Sequence, residues 1–167
     1  MKKKGLIVYK GKYGATEQYA RWTGEDLGLE LFTPDRVDKE QLAQSDIVLV
    51  GSSVYVGKLL IGDWLRENRR LLQNKKLFLF VVCATPASEE QKRREIIKAG
   101  VPLPLLDQLD IFFLPGRLVT QKLSWKDRLI LRLGIMMEKD PARKKAMKPS
   151  IPRAPLTLMP LILAGGA

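Results

Sequence analysis

Short apolar runs alternate with charged, helix-patterned stretches along most of this chain. Leu6-Ile7-Val8-Tyr9, bounded by lysine and glycine, predicts a strand buried on both faces. Thr16 then stands as a helix cap, with the helix running to about Leu27 and Gly28 as its stop. Glu30 to Thr33 predicts a second strand, closed by Pro34-Asp35, and Asp38 to Gln44 a short helix. Ile47 to Gly51 is a third strand, followed by a loop from Gly51 to Gly57. Ile61, Trp64, Leu65 and Leu72 recur at helix spacing, so one helix is expected from Ile61 to Leu72. Leu77 to Val82 is the most apolar strand; a charged helix follows from Ser88 to Ala99, with Gly100 as stop. Val101 to Pro104 reads as a proline-broken link, and Leu109 to Leu114 as the fifth strand. Alternating strands and helices with short connections predict a doubly wound parallel sheet.

Composition changes this picture at three points. Histidine is absent and Cys83 is the only cysteine, which excludes an imidazole base, an internal disulfide and a Cys/His zinc site. No apolar run reaches the roughly 20 residues that span a bilayer. The lysines before Leu6 look like a leader's charged region, but the apolar run behind them is too short for one. A reduced, cytoplasmic setting is therefore expected. The net charge is +11, and residues 117–148 hold ten lysines and arginines against Asp127, Glu138 and Asp140. Such a patch suits an anionic surface, substrate or partner, or is simply a solvated face. Nucleic acid is disfavoured because no recognition motif accompanies the charge.

In an open parallel sheet, ligands sit at the carboxyl ends of the strands. Three loops leave those ends here. Gly11-Lys12-Tyr13-Gly14-Ala15-Thr16 combines curling glycines, a helix N-terminus and a hydroxyl, a pattern suited to one phosphate group. It is neither a dinucleotide fingerprint nor a Walker A loop. Ser52-Ser53-Val54-Tyr55-Val56-Gly57, bracketed by Gly51 and Lys58, suits a planar aromatic ligand stacked on Tyr55, or is a plain turn with a surface tyrosine. Cys83-Ala84-Thr85 lines the same cleft, with Cys83 expected as a small buried hydrophobe rather than a nucleophile.

These motifs together resemble a flavodoxin-like FMN protein. The resemblance is narrower still to the flavodoxin-domain proteins related to menaquinone-dependent protoporphyrinogen oxidase. It is carried by Lys12 to Thr16, by Gly51 to Lys58, and by Phe113-Leu114-Pro115-Gly116-Arg117-Leu118 with Leu123-Ser124 and the basic helix behind them. It spans about Gly5 to Pro141. The resemblance implies a five-stranded sheet with helices on both faces, over residues 1–147. It implies FMN as cofactor, its phosphate on the first loop, Tyr55 stacked on the ring, Val56-Gly57 at the reactive edge, and Cys83 to Thr85 at the pyrimidine side. Only Thr16 supplies a Ser/Thr hydroxyl in the phosphate loop, so Lys10 or Lys12 would compensate by charge.

Residues 117–139 would form a basic amphipathic insertion led by Trp125, in peripheral contact with the inner membrane face or packed on the domain. The tail, 148–167, contains Pro149, Pro152, Pro155 and Pro160, which break any closing helix across it. The leading expectation is an FMN-dependent oxidoreductase acting on a porphyrinogen or passing electrons to a membrane quinone. The alternatives are a small electron carrier that meets a redox partner protein, or a binding module that has lost FMN.

Overall fold

The computed structural model describes residues 4–116. Its elements run β1 (Gly5–Lys10), α1 (Ala15–Leu27), β2 (Glu30–Phe32), α2 (Lys39–Gln44), β3 (Ile47–Tyr55) and β4 (Lys58–Leu59). They continue with α3 (Gly62–Glu67), α4 (Arg69–Leu72), β5 (Lys76–Cys83), α5 (Glu90–Gly100), α6 (Leu103–Leu106) and β6 (Leu109–Pro115). Five strands form a parallel sheet in the order β2-β1-β3-β5-β6, and β4 pairs antiparallel with the far end of β3. The doubly wound parallel sheet is thus present. The expected insertion at 117–139 and the tail at 148–167 lie outside the described residues.

Side-chain alternation sorts each central strand between two layers. Leu6, Val8, Val48, Val50, Leu77, Leu79 and Val81 pack on one side with Leu42, Trp64, Leu65, Leu72, Ile96, Ile97 and Leu105 from α2 to α6. Ile7, Leu49, Phe78, Phe80 and Val82 pack on the other side with Ala15 and Ala20 of α1. Burial of each Leu, Ile or Val side chain contributes about 1.5–3 kcal/mol, which favours this register over a one-residue slip that would invert both faces.

Several boundaries differ from the sequence reading, each for a physical reason. Helix α1 is capped by Gly14 in the left-handed region (φ 86°), so Thr16 lies inside the first turn and is not the cap. The stretch from Gly51 onward is strand rather than loop, because β3 continues to Tyr55 and folds back onto β4. Gly51 is a packing glycine: a Cβ there would lie 2.2 Å from Cζ of Phe80, whose ring crosses the strand at that point. The expected single helix from Ile61 to Leu72 is two, parted at Asn68, whose side-chain amide donates to the Trp64 carbonyl at 2.9 Å. Helix α5 starts after Glu89 instead of Ser88 and runs through Gly100, and the Val101–Pro104 link contains the start of α6. Asp38 caps α2 as a capping box with Gln41, and Gly28 (φ 65°) closes α1 as expected.

Candidate functional site at the carboxyl edge of the sheet

The parallel register brings four strand ends to one edge. Lys10 pairs with Ser52, Ser53 with Val82, and Cys83 with Pro115. The chain leaves β1 towards β2 on one side and returns to β3 on the other, so the topological switch, where a crevice forms, lies between β1 and β3.

The first wall of this crevice is the turn into α1. No side chain caps the helix, and its first backbone bond is Gln18 N–H to Gly14 C=O at 3.0 Å. The amides of Ala15, Thr16 and Glu17 therefore point out of the helix end with its partial positive charge. Thr16 is 1% exposed, and its hydroxyl has no hydrogen-bond partner. Gly11 faces that hydroxyl so closely that a Cβ would stand 2.8 Å from Thr16 Oγ1. A buried, unpaired hydroxyl costs about 1–3 kcal/mol, and one placed at an uncapped helix start suits an anionic acceptor. Ala15 is buried against the sheet and offers only its backbone.

The second wall is the β3–β4 hairpin. Its turn residues are Val56 (φ 48°) and Gly57 (φ 72°), both positive, as a two-residue hairpin demands. Val56 is β-branched in that region, so the turn is strained, and its side chain is 77% exposed. Period two splits the predicted residues between layers. Ser52 and Val54 turn towards α3 to α5, while Ser53 and Tyr55 turn towards the first loop. The Ser52 hydroxyl is engaged internally, donating to the Ser53 carbonyl at 3.0 Å and accepting from Ile61 N–H at 3.3 Å. Ser53 Oγ is buried without a partner.

The two walls touch. Lys12 Nζ stands 3.5 Å from the centroid of the Tyr55 ring, and Tyr13 meets Tyr55 edge-on at 6.5 Å. Flanking charges are mixed. The Asp35 carboxyl is held below its ordinary range, first by a hydrogen bond from the Thr33 side chain and then by its own amide, with weaker help from Arg36 and Lys10. Burial raises the Tyr9 phenol, and the charge of Glu17 raises it further.

The third loop is closed on itself. Cys83 is buried in the layer of α3 to α5, as expected for a hydrophobe, so its thiol faces away from the first loop. Its carbonyl accepts from Gly116 N–H at 3.0 Å. Ala84 is exposed. The Thr85 carbonyl accepts two bonds from Arg93, at 2.7 Å and 3.1 Å, and the Arg93 guanidinium lies 4.7 Å from the Phe113 ring centre. Sequence reasoning missed Arg93. It is one cation among several on a charged helix, and only the fold shows that it reaches the loop.

A cavity of about 390 Å³ opens at the opposite, amino edge, between Lys4, Leu27, Glu30, Phe32 and Gln44. It shares no residue with the three loops. Among the described residues there is no cluster of metal-ligating side chains, and no helix is long and apolar enough to cross a membrane.

Comparison with known proteins adds to this geometry. No curated protein matches the chain. Among solved structures it is similar to a flavoprotein in complex with FMN from Lactobacillus acidophilus NCFM, at 16% identity and TM-score 0.49, covering 68% of this chain and 93% of that one. It is also similar to the two-electron reduced flavodoxin of Megasphaera elsdenii, again at 16% identity and TM-score 0.49, covering 70% and 89%. A third likeness is to the Trp repressor binding protein of Bacillus subtilis, at 14% identity and TM-score 0.47, covering 89% and 100%. The model of the flavodoxin-domain family matches residues 6–145, which is most of the chain, and the protein therefore belongs to the flavodoxin-domain family.

Proposed function

We propose that this protein binds FMN in the β1/β3 crevice and works as a flavin-dependent electron-transfer protein. The carrying observation is the buried, unpartnered Thr16 hydroxyl against Gly11 at an uncapped helix start, in the loop whose Lys12 and Tyr13 meet Tyr55. The residues fit the cofactor. The amides of Ala15 to Glu17 and the Thr16 hydroxyl would hold the phosphate, with Lys12 supplying charge. Tyr55 would offer a ring to stack on. The turn at Val56-Gly57 and the backbone of Ala84-Thr85 would border the remaining edges, and Arg93 keeps the latter in place. FMN, when bound, supplies reversible one- and two-electron chemistry; the protein positions it and excludes water.

The finer reading is an oxidoreductase of the protoporphyrinogen oxidase-like group, using a porphyrinogen as donor and a quinone as acceptor. Its support lies in the sequence: the Pro115-Gly116-Arg117 motif and the basic stretch behind it, complementary to substrate carboxylates or an anionic membrane surface.

The test is an absorption spectrum of the purified protein, followed by FMN titration read by fluorescence quenching. Bound flavin, or tight quenching, is expected. A colourless protein that leaves FMN fluorescence unchanged overturns the proposal. Flavin-loaded protein should then oxidise protoporphyrinogen and reduce a quinone analogue. If it does neither, the electron-carrier reading replaces the oxidoreductase one.

A further inference from the structure

The two sides of the sheet are covered unequally. One side carries α2 to α6, whereas among the described residues the other carries α1 alone. That helix sits off-centre. Its Gly24 flank lies directly against Leu31 of β2, and it packs mainly on β1, β3 and β2. The opposite flank, where Tyr19 and Trp22 meet edge to face, looks across β5 towards β6. Phe112 and Leu114 of β6 turn to this side and are only partly buried, and Trp22 is 36% exposed. An apolar trough therefore runs along β6, between the α1 flank and the edge of the sheet. Such a surface on a folded domain calls for a cover.

The chain itself leads into the trough. The Tyr19 hydroxyl donates to the Pro115 carbonyl at 3.2 Å, so the end of β6 is held on the α1 side just before the chain leaves it. The family match continues past that point to residue 145. Within it, Leu129, Ile130, Leu133 and Met137 recur at helix spacing, with Arg128 and Arg132 off that stripe. As a helix, residues 124–138 would reach about 22 Å. The seven residues of β6 extend about 23 Å. One pass back towards the amino edge thus matches the trough in length. It would also bring Arg143, Lys144 and Lys145 to that edge, where α1 ends with the exposed Glu25 and Asp26. The apolar tail lies beyond the family match and is broken by prolines, so it does not suit a pass of that length.

We propose that residues 124–138 cover the trough between α1 and β6, with the Leu129, Ile130, Leu133 and Met137 stripe inward and the arginines outward. The basic stretch is then the second cover of the sheet rather than a membrane-surface element, and this holds with or without flavin.

The experiment uses the full-length protein in a Cys83→Ala background and a short bismaleimide cross-linker. The pair Glu138→Cys/Asp26→Cys should be joined within one chain. The pair Glu138→Cys/Lys98→Cys, whose second member lies on α5 across the sheet, should not. Without lipid, Leu133→Asp should raise the unfolding equilibrium constant in urea about tenfold to a hundredfold, the cost of losing one buried leucine. Leu131→Asp, off the stripe, should change it no more than about twofold. If Leu133→Asp does not fold, the cross-link alone decides. Equal or absent joining of the two pairs overturns the proposal, as does a Leu133→Asp variant as stable as Leu131→Asp. Joining between chains instead of within one makes a second copy the cover. Binding to phosphatidylcholine–phosphatidylglycerol vesicles that Leu133→Asp abolishes, with the melt unchanged, makes the stretch a membrane element and overturns it too.

Discussion

The β1–α1 loop and the β5–α5 loop leave the same edge of the sheet and are built on opposite terms. In the first, a buried hydroxyl and the opening amides of a helix have no side chain to meet them. In the other, two backbone acceptors are taken from within the fold: the Cys83 carbonyl by Gly116, and that of Thr85 twice by Arg93. A loop that satisfies its own polar groups gains stability and needs nothing further. A loop that leaves them open is less stable alone and is completed by what it binds. One wall of the crevice is scaffold and the other is receptor.

The largest effect should come from breaking the closed loop. Arg93→Met keeps an unbranched apolar stem but removes both bonds to Thr85 and the guanidinium's contact with the Phe113 ring. Denaturant melts should show a loss of about 1.5–3 kcal/mol, the range for hydrogen bonds to a charged group, with flavin present or absent. A variant as stable as wild type would mean that the closure is incidental.

The open loop should respond with opposite signs. Thr16→Val replaces the unpaired hydroxyl by a methyl of similar size. The cofactor-free protein should gain about 1 kcal/mol, while FMN affinity falls about tenfold. If stability drops and affinity holds, the hydroxyl has a structural partner and the contrast between the loops fails.

The smallest effect is on pH. The folded state holds the Tyr9 phenol above its ordinary value of 10.0, because burial and then the Glu17 charge disfavour the anion. The unfolded chain releases that proton first, so stability is intact below pH 10 and falls as the pH rises past it. Tyr9→Phe should remove this part of the decline in urea melts on either side of pH 10. An unchanged slope would show that the tyrosine beside the open loop titrates as it does when unfolded.

Much of the fold was legible because its central strands are buried on both faces. Leu6 to Val8, Ile47 to Val50 and Leu77 to Val82 have no polar position that would permit a helix stripe or a solvated face. The end of β3 was not legible. Ser52-Ser53 and Val56-Gly57 carry loop composition, and Val56 is a poor residue for a tight hairpin, so only the pairing with Lys58 and Leu59 reveals the strand. The break at Asn68 was hidden for a related reason: a side chain that rivals the backbone for the Trp64 carbonyl looks like any other polar helix residue. At the candidate site, the loops were readable from glycines and hydroxyls, but the division of labour within them was not. Ser52 and Ser53 are identical letters. Strand parity alone turns one into a brace for Ile61 and leaves the other buried without a partner.

The ring of Phe80 fills the space that a side chain at Gly51 would occupy. These two positions share a single volume, so they are not free to diversify separately over evolutionary time. Growth at 51 is tolerable only after 80 has shrunk, and an aromatic at 80 in turn commits its neighbour to glycine. The pair ties the strand leading to the crevice to the middle of the sheet, so substitutions in related chains should arise at 51 and 80 jointly.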